Sequence, residues 1–522
     1  MALPLPVIPP QRANNTSIID RLNLLSQALR EVDEAQSLRC FDLAKFDRIL
    51  KTTISLCPEC LQHVPAIVYS LKRRVLVTKK CPIHGLSTAV IENDLAYYRL
   101  SNKDQWGRRF ADDLVTDFPA YNGGCCENGS CDTQGEADDI AGDITPQMAN
   151  KSCTVLVEVT NACNLACPVC YSDARGDRKM PLELFKTYMC RLIEKKGGLD
   201  SVQLTGGEAL LHPEFWEMLA FLHAQAGVKR IYLPTNGILL AKRDCAGRLV
   251  PFKDKLMVLL QFDGGDLSAN RALRAANTMN LRSAVIENLQ RLGVAMQLTM
   301  TITQGVNDSQ VGWVVDMALA NNHVKVAALQ PVTYSGRYDL APDPMNRLTL
   351  SDVAKAVMAQ AGKRMTPEQF VPIPCSHPNC GWITLFARRF GVTANIVKHL
   401  DMRRAIDEMS YKTVLSTGEI RRIVGGPLRQ AQGGAKASPA SRAAAAVGRR
   451  LIRAKDVVAI AIKPFMDRFN YDQDRVSACC HHLLDTQGRP VSFCEYNAIG
   501  RQGDSWERYP MLKDAITDNP AA

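Results

Sequence analysis

The chain is predicted to be an α/β protein built on a partial TIM-type barrel of six βα units, with an N-terminal metal ribbon and a C-terminal cysteine-rich region. Three observations predict it. From Thr154, six apolar strand candidates alternate with segments of helical period. Ahead of them, two short cysteine knuckles bracket an alternating segment. Further cysteines gather after the last strand candidate. Tandem βα units imply a parallel sheet closed or partly closed by outer helices, and in such sheets reactive groups collect at the carboxyl ends of the strands.

In chain order, residues 1–105 hold CPEC at 57–60 and CPIH at 81–84, joined by AIVYSLKRRVLVTKK, which reads as a hairpin between paired ligands. Cys57, Cys60, Cys81 and His84 suit one tetrahedral structural site. Their spacing does not choose between zinc and a single iron. Residues 106–153 carry NGGCCENGSC and the acidic run GEADDIAGD, so loops are expected. Cys125, Cys126, Cys131 and Cys153 form a loose set, large enough for an auxiliary four-iron cluster.

The barrel unit, 154–340, has strand candidates at 155–160, 201–205, 230–235, 256–263, 295–302 and 324–330. The last region, 341–522, contains the loop PIPCSHPNC and a low-complexity stretch near 430–450 that reads as a mobile insertion. Cys375, Cys380, Cys479, Cys480 and Cys494 make a second auxiliary set. In the adjacent pairs Cys125–Cys126 and Cys479–Cys480, one member is expected to be spare. Cys40, Cys190 and Cys245 lack companions and read as ordinary thiols. His377, His481 and His482 read as donors beside the cysteines rather than ligands. Tyr334 and Arg337 read as packing and charge, with a pocket role as the alternative.

Length and composition set the outer bounds. At roughly 150 residues per domain, 522 residues suggest about three domains, and 46% hydrophobic with 22% charged residues is an ordinary globular mixture. No secretory leader or membrane-length apolar run is visible, so a cytoplasmic location is expected. Eighteen cysteines in that setting argue for metal rather than disulfides. The net charge of +10 owes much to a basic tract from Arg421 to Lys455, which reads as a solvated segment and leaves peripheral membrane contact open. A nucleic-acid-binding zinc ribbon would need basic residues interleaved with aromatics. Aromatics are only 6%, and the βα core would go unexplained.

Just past the first barrel strand stands CNLACPVC, with Cys163, Cys167 and Cys170 in CxxxCxxC spacing. Three thiolates on a short loop suit three corners of a four-iron cluster and leave the fourth iron open to a chelating ligand. Gly206, Gly207 and Glu208 close the next strand. Asn236, Asp263 and Gln330 stand at later strand ends, where helix caps and turns are the ordinary alternative.

This pattern resembles the radical S-adenosylmethionine (SAM) superfamily over about residues 154–335. The resemblance implies a radical SAM core with SAM on the open iron. Glycines and Glu208 would lie at the SAM amino group, and Asn236, Asp263 and Gln330 would contact ribose, methionine carboxylate or substrate. It implies a 5'-deoxyadenosyl radical that takes hydrogen from an unactivated carbon, and a low-potential electron donor such as flavodoxin or ferredoxin. Val169, at a position often aromatic, should still pack near adenine.

TISLCPECLQHVPA, KKCPIHG, LVEVTNACNLACPVCYSDA, QLTGGEALLHPEF, LPTNGILLA, TITQGVND and IPCSHPNC together resemble the class D radical SAM methylases. Members of that branch methylate a pterin ring or couple lipid chains. The resemblance implies one or two auxiliary four-iron clusters, a mononuclear iron or zinc, and a small-molecule or lipid substrate. C-methylation or alkylation of a pterin-like heterocycle is the leading expectation, and carbon–carbon coupling of acyl or isoprenoid chains is the alternative.

Overall fold

The computed structural model describes residues 18–102, 152–362, 365–373, 375–389, 391–397, 400, 412–414, 419 and 456–512. The expectations for 106–151, including Cys125, Cys126 and Cys131, and for the basic and low-complexity stretches fall outside these residues.

The ribbon is a four-stranded antiparallel sheet, β1 (Arg48–Leu56), β2 (His63–Leu71), β3 (Arg74–Cys81) and β4 (Gly85–Glu92), in sequential order. The expected hairpin is present as β2–β3, and its turn places Lys72 and Arg73 at φ 49° and 64°. Tight hairpin turns ask for positive φ, and here two long basic residues supply it in place of Gly or Asn. Helix α1 (Ile18–Glu31) packs Leu22, Leu25 and Leu29 on Ile54 of β1.

The six predicted strands form as β5 (Thr154–Thr160), β6 (Leu199–Gly206), β7 (Val228–Thr235), β8 (Leu256–Gln261), β9 (Ala295–Ile302) and β10 (Val324–Pro331), parallel and in order. The parallel sheet does not stop there. β11 (Trp382–Arg389) pairs antiparallel with β12 (Val457–Ile462), and β12 lies parallel beside β10. β13 (His481–Leu484) lies parallel beside β5 and carries the short β14 (Pro490–Ser492). Among the described residues the sheet does not close by hydrogen bonding. Its two flanks meet through side chains instead, where Lys463, just past β12, stands 3.2 Å from His481 at the start of β13.

Alternation along the strands creates both faces. Outward residues such as Val202, Leu204, Ile231, Leu233, Val258, Leu260, Leu298 and Met300 are fully buried in one core with helices α2 (Leu182–Lys196), α3 (Phe215–Ala224), α4 (Met279–Leu292), α5 (Val311–Ala320) and α6 (Leu350–Gln360). Burying each such side chain contributes roughly 1.5–3 kcal/mol. The intervening residues face inward, and many are polar. They enclose the cavity in which the site lies.

Candidate active site and metal centres

The loop after β5 carries Cys163, Cys167 and Cys170, and all three line a cavity of about 380 Å³ within the curve of the sheet. Its position is fixed from β6. The amide of Gly207 donates to Thr160 O at 2.9 Å, and that of Glu208 to Ala162 O at 2.9 Å. A Cβ on Gly206, at φ 128°, would lie 2.1 Å from Thr160 O, and one on Gly207 would lie 2.0 Å from Ala162 O. The two glycines line the cavity as expected, and they also let two backbone segments touch.

Glu208 and Asp263, expected at the cofactor or substrate, are both engaged by neighbouring residues. Neither lines the cavity. The Glu208 carboxylate accepts from Thr235 Oγ1 and from the Asn236 amide, both at 2.9 Å, and so joins β6 to the end of β7. Burial pushes its pKa up to about 7. Asp263 is wholly buried and receives Arg274 through two hydrogen bonds, Nε at 2.8 Å and Nη2 at 2.9 Å. Burial alone would raise its pKa, but Arg274 and Arg282 outweigh that and hold it below the usual range. Both carboxylates thus tie neighbouring strand ends together. Asn236 and Gln330 do line the cavity. Asn236 donates to Asn164 Oδ1 at 2.7 Å, with the Cys163 sulfur 4.0 Å away.

Arg274, which sequence reading missed, joins these parts. It lies on the cavity wall, donates to Val169 O at 2.9 Å and contacts the Cys167 thiol. Nothing in its local sequence marks it, because its partner is formed only by the tertiary fold. Val169 packs with Leu273, Val332 and Tyr334.

Among the described residues, two groups have all their ligand atoms within 4.8 Å of one another, and the loop trio is not one of them. Its thiols are spread more widely than a single ion spans, and three soft donors on one wall of a roomy cavity fit a multi-iron cluster. Burial pushes the Cys163 thiol up to about 11, so a metal must take the place of its proton.

Cys57, Cys60, Cys81 and His84 do form such a group: Cys57 and Cys81 Sγ each lie 3.5 Å from His84 Nδ1, and Cys60 and Cys81 Sγ are 3.8 Å apart. The donor set suits one tetrahedral ion.

The remaining cysteines regroup. Cys153, Cys375 and Cys480 pack together, and Cys153 and Cys480 share a 4.8 Å group with His481. Cys380, Cys479 and Cys494 instead lie within electrostatic reach of one another, and Cys380 and Cys494 of Arg475. The loose sets drawn from spacing are therefore repartitioned. Cys479 and Cys480 fall beside different groups of thiols. The physical reason is the strand they precede, because neighbouring side chains on an extended backbone point to opposite sides.

Cys375 and His481 also line the cavity, so it spans from the SAM-type loop to the first of these groups. Tyr171, Phe493 and Phe465 wall it on one side, with ring centroids 5.2 Å and 4.7 Å apart in successive pairs. His377 accepts from the Asn379 amide at 3.1 Å, and His482 pairs with Ser152 at 2.7 Å. Tyr334 and Arg337 are buried in packing and charge contacts away from the cavity, Tyr334 beneath Arg347 and Arg337 beside Asp173.

A thiol loop at the mouth of a βα sheet, bound to a Gly-Gly-Glu strand end over a walled cavity, defines the radical SAM class. The radical SAM superfamily model matches residues 157–318, and the chain is a radical SAM enzyme whose cofactors are SAM and a four-iron cluster. Residues 49–93 match the HMPTM N-terminal zinc ribbon domain.

Over nearly its full length the chain resembles the 7,8-dihydro-6-hydroxymethylpterin dimethyltransferase of Methanocaldococcus jannaschii. The two are 26% identical over 498 residues, covering 87% of this chain and 94% of that one. It is also 27% identical to the GTP 3',8-cyclase of Chlorobaculum tepidum, over 34% of this chain and 53% of the cyclase. A solved structure of Streptococcus suis SuiB bound to S-adenosylmethionine aligns with 39% of this chain and 46% of its own, at TM-score 0.34 and 18% identity. No described helix is long and apolar enough to cross a membrane.

Proposed function

We propose that the protein methylates or alkylates an unactivated carbon of a pterin-like heterocycle. The observation that carries this reading is the cavity wall. A hydrocarbon chain would ask for an apolar tunnel, whereas here Gln203, Gln297, Gln330 and a row of threonines stand among the apolar residues of the wall, the mixed lining that a flat heterocycle with polar edges needs. Filling it with hydrocarbon would strip water from those amides without replacing their hydrogen bonds. The pterin substrate in the name of the M. jannaschii relative points the same way.

On this reading Cys163, Cys167 and Cys170 would hold three irons of the cluster. SAM on the reduced cluster supplies a carbon radical able to take hydrogen from an unactivated C–H bond. The chain's own residues orient and shield. Asp263 fixes Arg274, Arg274 fixes the cysteine loop, and Glu208 ties the ends of β6 and β7 together. The aromatic wall of Tyr171, Phe465 and Phe493 keeps water from the reacting carbon. Residues 1–105, 106–153, 154–340 and 341–522 would act as ribbon, linker, radical core and auxiliary region. A cytoplasmic flavodoxin or ferredoxin would supply electrons.

The test is anaerobic turnover of reconstituted protein with SAM, reductant and a 6-hydroxymethyl dihydropterin, read by mass spectrometry. The wild type should release 5'-deoxyadenosine and give a pterin heavier by one or more methyl groups, and Cys163→Ala should do neither. Release of 5'-deoxyadenosine with no pterin product, and joined chains from an isoprenoid lipid instead, would favour carbon–carbon coupling.

A further inference from the structure

Inward positions of a barrel sheet are ordinarily filled by branched apolar side chains. Here Gln203 of β6 and Tyr232 of β7 occupy such positions as direct register partners, two residues below Thr205 and Pro234. Both line the cavity, and neither side chain makes a hydrogen bond to another described residue. Gln297 of β9 faces the same space. Its Nε2 is committed to Thr299 Oγ1 at 2.9 Å, which leaves its Oε1 to accept. Gln261 differs, because its amide is spent on Asp263 at 2.7 Å. A ligand that fills the cavity removes water from these groups and must return their hydrogen bonds. Tyr232 also lies within electrostatic reach of Cys153 and Cys375, so it and its partner Gln203 stand toward the first regrouped cysteine set, while Gln297, level with Leu259 and Pro234, stands one layer nearer the strand ends.

We propose that Gln203, Gln297 and Tyr232 form the specificity subsite for the amino-lactam edge of a fused bicyclic heterocycle. Gln297 Oε1 accepts from its exocyclic amine and Gln203 Oε1 from its ring N–H, and the Tyr232 hydroxyl donates to its ring carbonyl. This rests on the heterocycle reading above and adds which edge is read and by which residues. The arrangement favours an amine over a carbonyl at the position facing Gln297, because its Nε2 is committed to Thr299 and a carbonyl there would oppose an acceptor with an acceptor.

The test is fluorescence titration of the reconstituted full chain, with SAM present, using 6-hydroxymethylpterin and 6-hydroxymethyllumazine, which carries a carbonyl in place of the amine. Wild type should prefer the pterin by roughly tenfold or more. Gln297→Leu should level the two affinities, and Gln203→Leu should weaken both probes alike, because both keep the ring N–H. Tyr232→Phe should weaken both probes alike, because both keep the ring carbonyl. Iron content and thermal melting identify a misfolded variant, in which case Gln297→Met is read in place of Gln297→Leu. A preference that persists in the Gln297 variant would overturn the subsite while leaving the heterocycle reading standing. Failure of the wild type to bind either probe would overturn both.

Discussion

Arg274 and Asp263 act as one unit. The carboxylate holds the guanidinium with two hydrogen bonds, and the guanidinium holds the Val169 carbonyl between two cavity thiols. Lysine would keep the charge but not the fork. Arg274→Lys is therefore expected to lower 5'-deoxyadenosine release at least tenfold while ribbon metal content stays at the wild-type level, which paired rate and metal measurements would check. Loss of both together would mean a general folding defect.

Glu92, at the end of β4, offers a pH test at the same scale. It is buried against Thr349 and Ser351 at the start of α6 and accepts from both hydroxyls. Burial raises its pKa from an ordinary 4.5 to about 7, although the surrounding donors pull the other way. The folded state thus favours the protonated form. That contribution, on the order of 3 kcal/mol, is fully present below about pH 4.5 and lost as pH rises through about 7. Glu92→Gln should melt near the wild type at pH 5 and above it at pH 8. A melting difference that stays flat or reverses would show that the charged form is the favoured one.

At the scale of elements, the barrel strands were legible because their outward faces are mostly apolar over β6 to β9, with Asp200 and Lys229 paired near the strand starts, and the Gly-Gly-Glu end followed the cysteine loop by one strand. Two features were not legible. The β2–β3 hairpin was legible from its alternation but not the turn residues Lys72 and Arg73 that close it, and β12 lies more than a hundred residues beyond its partner β10, so no local pattern links them. What joins such distant parts is buried charge. Asp467, just past β12, accepts from Arg347 at 2.8 Å and 3.2 Å and from the Tyr334 amide at 2.9 Å, with both side chains almost wholly buried. Removing one partner of such a pair leaves an uncompensated charge, at a cost of about 3–5 kcal/mol. Asp467→Ala should therefore lower the urea midpoint of unfolding markedly. An unchanged midpoint would mean that water replaces the lost partner. The ribbon leans on the same segment through Lys51 and Thr53, each 2.8 Å from Asp472, so its loosening should appear as faster amide exchange over 48–92.

At the scale of the whole molecule, the cysteines show how far spacing can carry an inference. The knuckle residues and the radical loop lie within a few residues of their partners, so local sequence grouped them as the fold does. The others do not. Cys375 and Cys380 share one loop yet join different groups, as do Cys479 and Cys480 across a single peptide bond. Sequence proximity fails there because the groups are assembled from the start of β5, the loop before β11 and the approach to β13, which meet only when the two flanks of the sheet come together. This arrangement makes a separable prediction. If each group holds its own cluster, Cys480→Ala should remove about one cluster's worth of iron and sulfide, and Cys479→Ala should do the same. The double variant should then lose both, leaving the radical cluster and the ribbon ion. If the adjacent thiols served one cluster, the double variant would lose no more iron than either single variant. Iron and sulfide counts on the three anaerobically reconstituted variants decide between these outcomes. The cavity gives them a functional counterpart, since Cys375 of the first group lines it. Cys480→Ala is accordingly expected to impair substrate turnover more than Cys479→Ala at equal radical-cluster occupancy.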